Sequence, residues 1–184
     1  MPSRPTPTVP SRPRVRGMHA PDTAAPSTAA VITVSDRSAS GERSDRSGPL
    51  AVAALRDAGW ACAEPAVVAD GDDSVEAALH AALGSGARLI VTTGGTGVGP
   101  RDRTPEGTAR VITRELPGIA EELRRRGAAE KPGGMLTRGL AGVVDPSGAL
   151  VVNLPGSTAA VTSGMPVVLS VARHVVDQLA GGDH

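Results

Sequence analysis

Residues 88–104 read Arg-Leu-Ile-Val-Thr-Thr-Gly-Gly-Thr-Gly-Val-Gly-Pro-Arg-Asp-Arg-Thr, and their pattern indicates the fold class. The first five residues are mostly apolar and β-branched, which predicts a short buried strand over 88–92. A loop with four glycines follows, and Thr104 with Pro105 at the first helical position predicts a helix directly after it. A buried strand that leads through a glycine-rich loop into a helix is typical of an α/β protein.

The same alternation of strands and helices continues on both sides of this stretch. Further strands are predicted where short apolar runs occur, at 30–34, 60–68, 139–144 and 149–154. Further helices are predicted at 49–58, from an N-cap at Ser74 to 83, at 117–126, and from an N-cap at Ser157 to 179 with a break near Pro166. Residues 35–47 are polar and predict a long loop. This order predicts an α/β fold in which helices cover both faces of a mostly parallel sheet.

Composition narrows the classes of function. The 184 residues carry 19 Lys and Arg against 19 Asp and Glu, and they include one Trp but no Phe or Tyr. Proteins that stack on single-stranded nucleic acid need several aromatic side chains, so nucleic acid is not an expected partner. A single cysteine excludes an internal disulfide and a cysteine-based zinc site, and it fits a reducing, cytoplasmic setting. No run of about 18 apolar residues occurs, so we expect no membrane span.

The zero net charge is the sum of two unlike parts of the chain. Residues 1–28 hold seven of the 16 prolines and four arginines against one aspartate, a charge of 4 − 1 = +3, which leaves the remainder at −3. So many prolines prevent regular hydrogen bonding, and the apolar segment of a secretory signal is missing after the arginines. We therefore expect a disordered extension over 1–28 and one folded domain over 29–184. The sequence leaves open whether translation begins at Met1 or Met18.

Polar turns follow several strands at the end where α/β proteins bind ligands. Ser35 and Asp36 follow the first strand, Asp70 the second, the glycine loop the third, and residues 155–157 the last. Glycines let backbone N–H groups approach an anion closely, and the helix that starts near Thr104 adds its positive end. The loop has neither the Gly-Lys-Ser/Thr of a P-loop nor the glycine spacing of the dinucleotide fingerprint. The sequence predicts a phosphate site of another kind at this edge.

An aspartate in an anion-binding loop needs a cation beside it. Asp102 would repel phosphates unless a divalent ion lay between them, and Mg²⁺ is commonly held by one or two carboxylates together with substrate phosphates. Asp70 is the candidate for the second carboxylate, with a plain polar turn residue as the alternative. The histidines are scattered and no Gly-x-Ser-x-Gly motif occurs, so nucleophilic catalysis is not indicated. Metal, fixed dipoles and arginines suit phosphoryl or nucleotidyl transfer.

Four motifs together resemble one known family. They are Val-Ser-Asp-Arg at 34–37, Thr-Thr-Gly-Gly-Thr-Gly at 92–97, Arg-Asp-Arg-Thr-Pro-Glu at 101–106 and Asn-Leu-Pro-Gly-Ser at 153–157. This set resembles the molybdopterin-binding domain of molybdenum cofactor biosynthesis proteins, in particular the stand-alone MogA/MoaB type. The resemblance covers residues 29–179. The glycine motif followed by Arg-Asp-x-Thr-Pro-Glu is its specific part, whereas Pro-Gly-Ser alone would be weak.

The resemblance implies a three-layer α/β/α sandwich that assembles as a homotrimer. Active members of the family transfer AMP from Mg-ATP to the terminal phosphate of molybdopterin, release pyrophosphate, and pass the product to a molybdenum insertase. Asp70 and Asp102 then correspond to catalytic carboxylates that bind the metal. The implied substrate-binding positions and their neighbours are Ser35, Asp36, Thr93, Gly94, Gly95, Thr96, Gly97, Thr104, Glu106, Pro155, Gly156 and Ser157.

Some features of the sequence leave alternatives open. Residues 131–138 differ from the usual family pattern, and Thr137 stands where a serine is commoner, although a hydroxyl group remains. Some MoaB-type members bind the pterin without adenylylating it, so a non-catalytic binding protein and a trimer with a vestigial site are alternatives. The presence of both Asp70 and Asp102 favours the enzyme. Molybdenum and tungsten both remain open as the metal used downstream.

Phosphate charge and aromatic rings place further demands on the predicted site. The arginines that could neutralise phosphate charge are Arg37, Arg101, Arg103 and Arg138. Because Phe and Tyr are absent, backbone, aliphatic and polar groups must hold the adenine and pterin rings, unless Trp60 lies near the site.

Overall fold

The computed structural model describes residues 27–182, so the predicted extension over 1–28 lies outside the described residues except for its last two. Thr28 already belongs to a strand, one residue before the predicted start of the domain. One sheet contains the strands β1 Thr28–Val34, β2 Ala61–Cys62, β3 Ala66–Val68, β4 Leu89–Thr93, β5 Arg114–Glu115, β6 Ala141–Val144 and β7 Ala149–Leu154. The strand order is β2-β1-β4-β7-β6-β5, and β3 pairs with the end of β1, after β2 has paired with its start.

Helices cover both faces of this sheet. They are α1 Asp36–Ala39, α2 Ser47–Asp57, α3 Asp72–Gly84, α4 Thr104–Ala109, α5 Pro117–Glu130 and α6 Thr158–Leu179, with a 3₁₀-helix at Pro132–Leu136. The apolar sides of α2, α5 and α6 pack on one face, and α3 packs on the other together with the chain after α4. This arrangement confirms the predicted three-layer α/β/α sandwich.

The strand β4 lies at the centre and is buried on both faces. Its alternate side chains enter the two cores, Leu89 on the side of α2 and α6 and Ile90 on the side of α3. Burial on both faces explains why this strand reads as a continuous apolar run and not as an alternation. β4 pairs in parallel with β1 and β7, so Thr33, Thr93 and Leu154 lie side by side. The loops that follow these three strands therefore leave from the same edge of the sheet.

One side of the sheet is antiparallel. β6 runs antiparallel to β7 and β5 runs antiparallel to β6. A turn over 145–148 joins β6 to β7, and so short a connection can only join antiparallel neighbours. The two-residue strand β5 was not predicted because its Arg114-Glu115 sequence has no apolar pattern. The strand predicted over 60–68 is divided into β2 and β3 around Pro65, which has no N–H group for a ladder.

The predicted loop over 35–47 is more ordered than its polarity indicates. The side chain of Ser35 caps α1 by accepting a hydrogen bond from the N–H group three residues later at 3.3 Å. α2 begins at Ser47, two residues before the prediction, because the Asp45 carboxylate accepts hydrogen bonds at 3.0 Å from the N–H groups of Ser47 and Gly48. Side-chain capping of this kind lets a polar segment form helix ends.

Three other helix predictions need correction. Ser74 is not an N-cap, because α3 begins two residues earlier and the Ser74 hydroxyl donates to the carbonyl groups of Ala69 at 2.7 Å and Gly71 at 3.0 Å. α5 continues through Gly127, which provides close backbone packing and no C-cap. α6 is continuous through Pro166, which lies on its exposed side, where solvent can satisfy the carbonyl that a proline leaves without a donor.

The long helix α6 also bears on the expected absence of a membrane span. Among residues 27–182 it is the one helix long and apolar enough to cross a membrane, with a mean hydropathy of 1.4 over an 18-residue window within its 22 residues. Its side chains Val161, Met165 and Val168 are buried against the sheet and the neighbouring helices. The apolar composition of α6 is therefore explained by its place in the core.

Candidate functional site

The ends of β1, β3, β4 and β7 open into one cleft of about 790 Å³. α5, the 3₁₀-helix and the start of α6 form its other walls. Fourteen residues were predicted for the site, and the twelve that line this cleft are Ser35, Asp36, Asp70, Thr93, Gly94, Gly95, Thr96, Gly97, Asp102, Pro155, Gly156 and Ser157. The other two, Thr104 and Glu106, do not line it. The four polar turns predicted at one edge of the sheet thus share a single cleft.

Two glycines bring the backbone of the loop into contact with its neighbours. Gly94 has a φ of 98°, and a Cβ atom there would lie 2.2 Å from the carbonyl oxygen of Val34. Gly95 has a φ of 61°, and its Cβ atom would lie 2.3 Å from Oγ1 of Thr104 and 3.0 Å from Oδ1 of Asp70. Any side chain at either position would both strain the backbone and push the loop away from the strand ends.

The loop is held through its carbonyl groups and leaves its amide groups free. Four consecutive carbonyl oxygens, those of residues 94–97, each accept a hydrogen bond. Thr104 donates to the first two, from Oγ1 at 2.9 Å and from its N–H group at 3.0 Å. Arg138 donates to the last two, from its N–H group and from Nε, both at 2.8 Å. The N–H groups of residues 95–97 make no hydrogen bond with the described part of the chain, so they are available to an anion.

Thr104 and Glu106 contact the loop from outside the cleft and do not line it, so their role in substrate binding stays a prediction. The side chain of Thr104 is fully buried, and its hydroxyl is used by the loop. Glu106 forms an ion pair with Arg138, and the guanidinium group lowers the pKa of the carboxyl group. Arg138 also donates to the carbonyl oxygen of Asp102, so one side chain connects the glycine loop, its aspartate and α4.

A second arginine connects the turns that follow β1 and β3. Arg101 donates two hydrogen bonds to the Asp36 carboxylate, at 2.9 and 3.0 Å, and a third to the carbonyl oxygen of Asp70 at 2.6 Å. Each aspartate side chain also accepts a hydrogen bond from the backbone of the other. The N–H group of Asp36 donates to Oδ2 of Asp70 at 2.8 Å, and the N–H group of Asp70 donates to Oδ1 of Asp36 at 3.0 Å. Arg101 lowers the pKa of Asp36 by hydrogen bonding to it. The charge of Asp36 is therefore compensated within the site.

The carboxylates of Asp70 and Asp102 lack such a partner. Oδ2 of Asp70 accepts a hydrogen bond from the N–H group of Asp36, and Oδ2 of Asp102 accepts one from the N–H group of Gly99, both at 2.8 Å. Within residues 27–182 neither Oδ1 atom has a hydrogen bond, and neither side chain has an ion pair. Burial raises the pKa of Asp70, and the charges of Asp36 and Asp102 add to this shift. Two carboxylates that line the same cleft and have no ion pair are a donor set that a hard divalent cation fits. No group of three or more His, Cys, Asp or Glu that could hold a metal is found among the described residues, so such a cation would need further oxygen ligands.

Sequence reasoning did not identify two polar elements of the cleft wall. Asp45 accepts a hydrogen bond from the hydroxyl of Thr33 at 2.7 Å, and Ser47 joins this group to Thr93 at 3.0 Å. Asn153 is buried in β7, where its amide group donates to Thr92 and Thr108, both at 2.9 Å, and its Oδ1 atom accepts from the N–H group of Leu140 at 3.0 Å. An asparagine inside an apolar strand was the available signal, because a buried polar side chain needs partners.

The segment over 131–138, whose path was open from the sequence, forms a wall of the cleft. Gly134 packs directly on the backbone of Gly127 in α5. The hydroxyl of Thr137 donates to Oγ1 of Thr96 at 3.0 Å, so the threonine keeps the hydrogen bonding that a serine would offer. Together with the bonds from Arg138, this contact joins the segment to the glycine loop.

The cationic side chains divide into two groups. The first group binds acidic or backbone groups of the protein: Arg101 and Arg138 bind carboxylates and carbonyl groups around the loop. Arg103 belongs to the same group, because it lies 4.0 Å from Asp72 and 3.8 Å from Glu106. Cationic side chains that line the cleft and make no ion pair or side-chain hydrogen bond within the described residues are Arg37, Arg43, Arg46 and Lys131. Of the four predicted arginines, only Arg37 belongs to this second group. The cleft therefore combines free cations, free amides and two unpaired carboxylates.

Comparisons with known proteins agree with the family resemblance that the sequence motifs indicate. A family model described as a probable molybdopterin binding domain matches residues 30–174. The chain belongs to this molybdopterin-binding family. A solved structure of the molybdopterin biosynthesis Mog protein from Mycobacterium ulcerans is 40% identical, with a TM-score of 0.79 over 86% of this chain and 99% of that one. The resemblance to the MogA/MoaB type and the fold are both confirmed.

Two curated relatives extend the comparison. A molybdenum cofactor biosynthesis bifunctional protein from Synechococcus elongatus is 43% identical over 156 residues, which is 85% of this chain and 48% of that protein. The chain thus spans about half the length of this relative. A protein from Pyrococcus furiosus named molybdopterin adenylyltransferase is 39% identical over 79% of this chain and 87% of its own length. The chain thus shares its domain with a molybdenum cofactor biosynthesis bifunctional protein and with a molybdopterin adenylyltransferase.

Proposed function

We propose that this chain adenylylates molybdopterin with Mg-ATP and releases pyrophosphate. The observation that carries this proposal is the meeting of free loop amides with the unpaired carboxylates of Asp70 and Asp102 in one cleft. Amide groups bind phosphate oxygens, whereas carboxylates repel them, so both can serve one ligand when a divalent cation accompanies the phosphates. A protein that only bound the pterin phosphate would gain from free cations and would lose affinity from two unpaired carboxylates. Mg-ATP accounts for both groups.

Each part of the cleft then has a role in nucleotidyl transfer. Asp70 and Asp102 would hold Mg²⁺ through their free Oδ1 atoms, and the bound ion would neutralise charge on the nucleotide phosphates. The amide groups of residues 95–97 would bind and orient phosphate oxygens. An oxygen of the molybdopterin phosphate attacks the α-phosphorus of ATP, and as this bond forms the bond to the β-phosphate oxygen breaks and pyrophosphate leaves with its electron pair. The side chains placed to take up the remaining phosphate charge are Arg37, Arg43, Arg46 and Lys131.

The test measures pyrophosphate release from purified protein supplied with molybdopterin, ATP and Mg²⁺. Asp102→Asn keeps an acceptor for the N–H group of Gly99 but removes the charge, so turnover should fall about 100-fold or more, in line with the several kcal/mol that a bound metal contributes. Equilibrium binding of molybdopterin should change little. Asp73→Asn is the matched control, because Asp73 is an exposed aspartate outside the cleft. The absence of pyrophosphate from wild type, together with intact pterin binding, would favour the non-catalytic MoaB-type alternative.

The remaining family properties belong to the same proposal. We expect a homotrimer in the cytoplasm that passes adenylyl-molybdopterin to a molybdenum insertase. Light scattering of the purified chain would test the assembly, and transfer of labelled product to a purified insertase would test the partner. A trimer that bound neither Mg-ATP nor molybdopterin would indicate a vestigial site.

A further inference from the structure

The proposed substrates both carry a planar ring, yet no aromatic side chain is available to hold one. The chain has no Phe or Tyr, and its single tryptophan, Trp60, is 4% exposed in the core beneath the guanidinium group of Arg173. Trp60 does not line the cleft. Ligand sites normally enclose rings with apolar surface and add a few polar groups for orientation. The apolar surface in this cleft must therefore come from aliphatic side chains.

Exposed aliphatic side chains are concentrated beside the glycine loop. Among residues 27–182 the large hydrophobic side chains that are exposed are Leu50, Val67, Val98, Met135 and Leu136. Val98 belongs to the loop, and Met135 and Leu136 end the 3₁₀-helix that is bonded to it through Thr137. Of the five, only Leu136 lines the cleft, and it is 57% exposed.

The backbone that carries Leu136 is fixed on both sides. Before it, Gly134 lies against the backbone of Gly127 in α5. After it, Thr137 and Arg138 bond to the glycine loop. An exposed leucine on a mobile loop would be ordinary on a protein surface, but a leucine held in place in the lining of the cleft is a preformed apolar surface.

We propose that Leu136 is the apolar surface on which the planar heteroaromatic ring of a substrate packs, and that it thereby contributes to the recognition of ring-bearing phosphates over simple polyphosphates. The inference rests on the proposed function for the identity of the ligands, adenine nucleotide or pterin. Leu136 contacts the ring and takes no part in the chemistry. The loop amides and carboxylates recognise the phosphates, and Leu136 recognises what is attached to them.

Isothermal titration of wild type and Leu136→Ala with three probes tests this assignment. The probes are Mg-ATP, Mg-tripolyphosphate, which has the charge without the ring, and molybdopterin. Loss of the isobutyl contact should weaken binding of one or both ring-bearing probes by about five- to thirty-fold, and the probe that responds identifies the ring. Binding of tripolyphosphate should stay within about two-fold. Leu50→Ala is the matched control, because Leu50 is 42% exposed on α2 outside the cleft.

Two results would overturn the inference. One is unchanged affinity of Leu136→Ala for both ring-bearing probes, and the other is an equal loss for tripolyphosphate, which would indicate a general disturbance of the loop. Because the readout is equilibrium binding, it does not depend on turnover. A wild type that binds the probes without releasing pyrophosphate refutes the proposed activity and leaves the role of Leu136 to be decided by the same titrations.

Discussion

Replacing Gly134 by alanine should displace one wall of the cleft and leave the rest of the domain folded. A Cβ atom at this position would lie 2.1 Å from the carbonyl carbon of Gly127, 2.2 Å from its oxygen and 2.7 Å from the nitrogen of Ala128. All three atoms belong to the backbone of α5, so no side chain can move aside. Carbon atoms in ordinary contact lie about 3.5–4 Å apart, which means that the two segments must separate by roughly 1.4 Å.

This separation is large enough to break the contacts that hold the glycine loop. The hydroxyl of Thr137 lies 3.0 Å from Oγ1 of Thr96, and a movement of that size takes the pair beyond hydrogen-bonding distance. Overpacking typically costs about 1–3 kcal/mol of unfolding free energy. A displacement of about 1 Å near reacting groups can lower a rate about 100-fold. We therefore expect Gly134→Ala to lower stability moderately and pyrophosphate release by about 10- to 100-fold.

Gly133→Ala provides the control within the same turn. A Cβ atom at Gly133 meets no atom within 4 Å, so this variant should leave the segment in place and unfold at the same or a slightly higher denaturant concentration. Urea unfolding, pyrophosphate release and hydrogen exchange of the Arg138 amide, which donates to Thr96, would be measured for both variants. Equal behaviour of the two variants, or wild-type exchange of that amide in Gly134→Ala, would refute the reasoning.

Thr104→Val removes a buried hydroxyl that donates to the carbonyl group of Gly94, so it should lower the unfolding free energy by about 1–3 kcal/mol in urea titrations. Thr104→Ser keeps the hydroxyl and should retain most of the wild-type unfolding free energy. Equal losses in the two variants would contradict a role for the hydrogen bond. Burial and neighbouring charges raise the pKa of folded Asp70 above its unfolded value, so the folded state favours the protonated carboxyl group. Ionisation of Asp70 therefore lowers the unfolding free energy as the pH rises through the folded-state pKa. Asp70→Asn, which keeps an acceptor for the N–H group of Asp36, should therefore raise Tm at neutral pH and change it little well below the ordinary carboxyl pKa of 3.8. The same variant should abolish turnover. A Tm at neutral pH no higher than that of wild type would contradict this.

Strand positions were predictable where burial alone selects the residues. β4 and β7 are buried on both faces, so their sequences are mostly apolar, and these strands can be predicted without knowing which elements pack against them. The glycine loop was predictable for a related reason, because only glycine allows the backbone contacts at Gly94 and Gly95. Such signals are local in sequence even though their causes are tertiary.

Many of the contacts that organise the site were not predictable, because they join residues that are far apart in the chain. Arg101 meets the Asp36 carboxylate across 65 positions, and Arg138 meets the carbonyl group of Gly97 across 41. The sequence shows where the arginines and aspartates are, but not which of them form ion pairs in the folded protein. Local rules also fail where packing outweighs them, as at Pro166, which does not interrupt α6.

The hydrogen bonds around the glycine loop explain how so flexible a sequence can serve as a binding surface. A loop rich in glycine has many conformations, and a ligand that had to select one of them would bind more weakly. Here Thr104 and Arg138 hold the carbonyl groups of residues 94–97 from outside the cleft. Because a peptide unit is planar, fixing its carbonyl group also fixes the N–H group of the next residue. The loop conformation is therefore already fixed when the protein folds, by side chains that do not line the cleft. Substitutions at Thr104 or Arg138 should accordingly weaken phosphate binding as strongly as substitutions in the cleft itself.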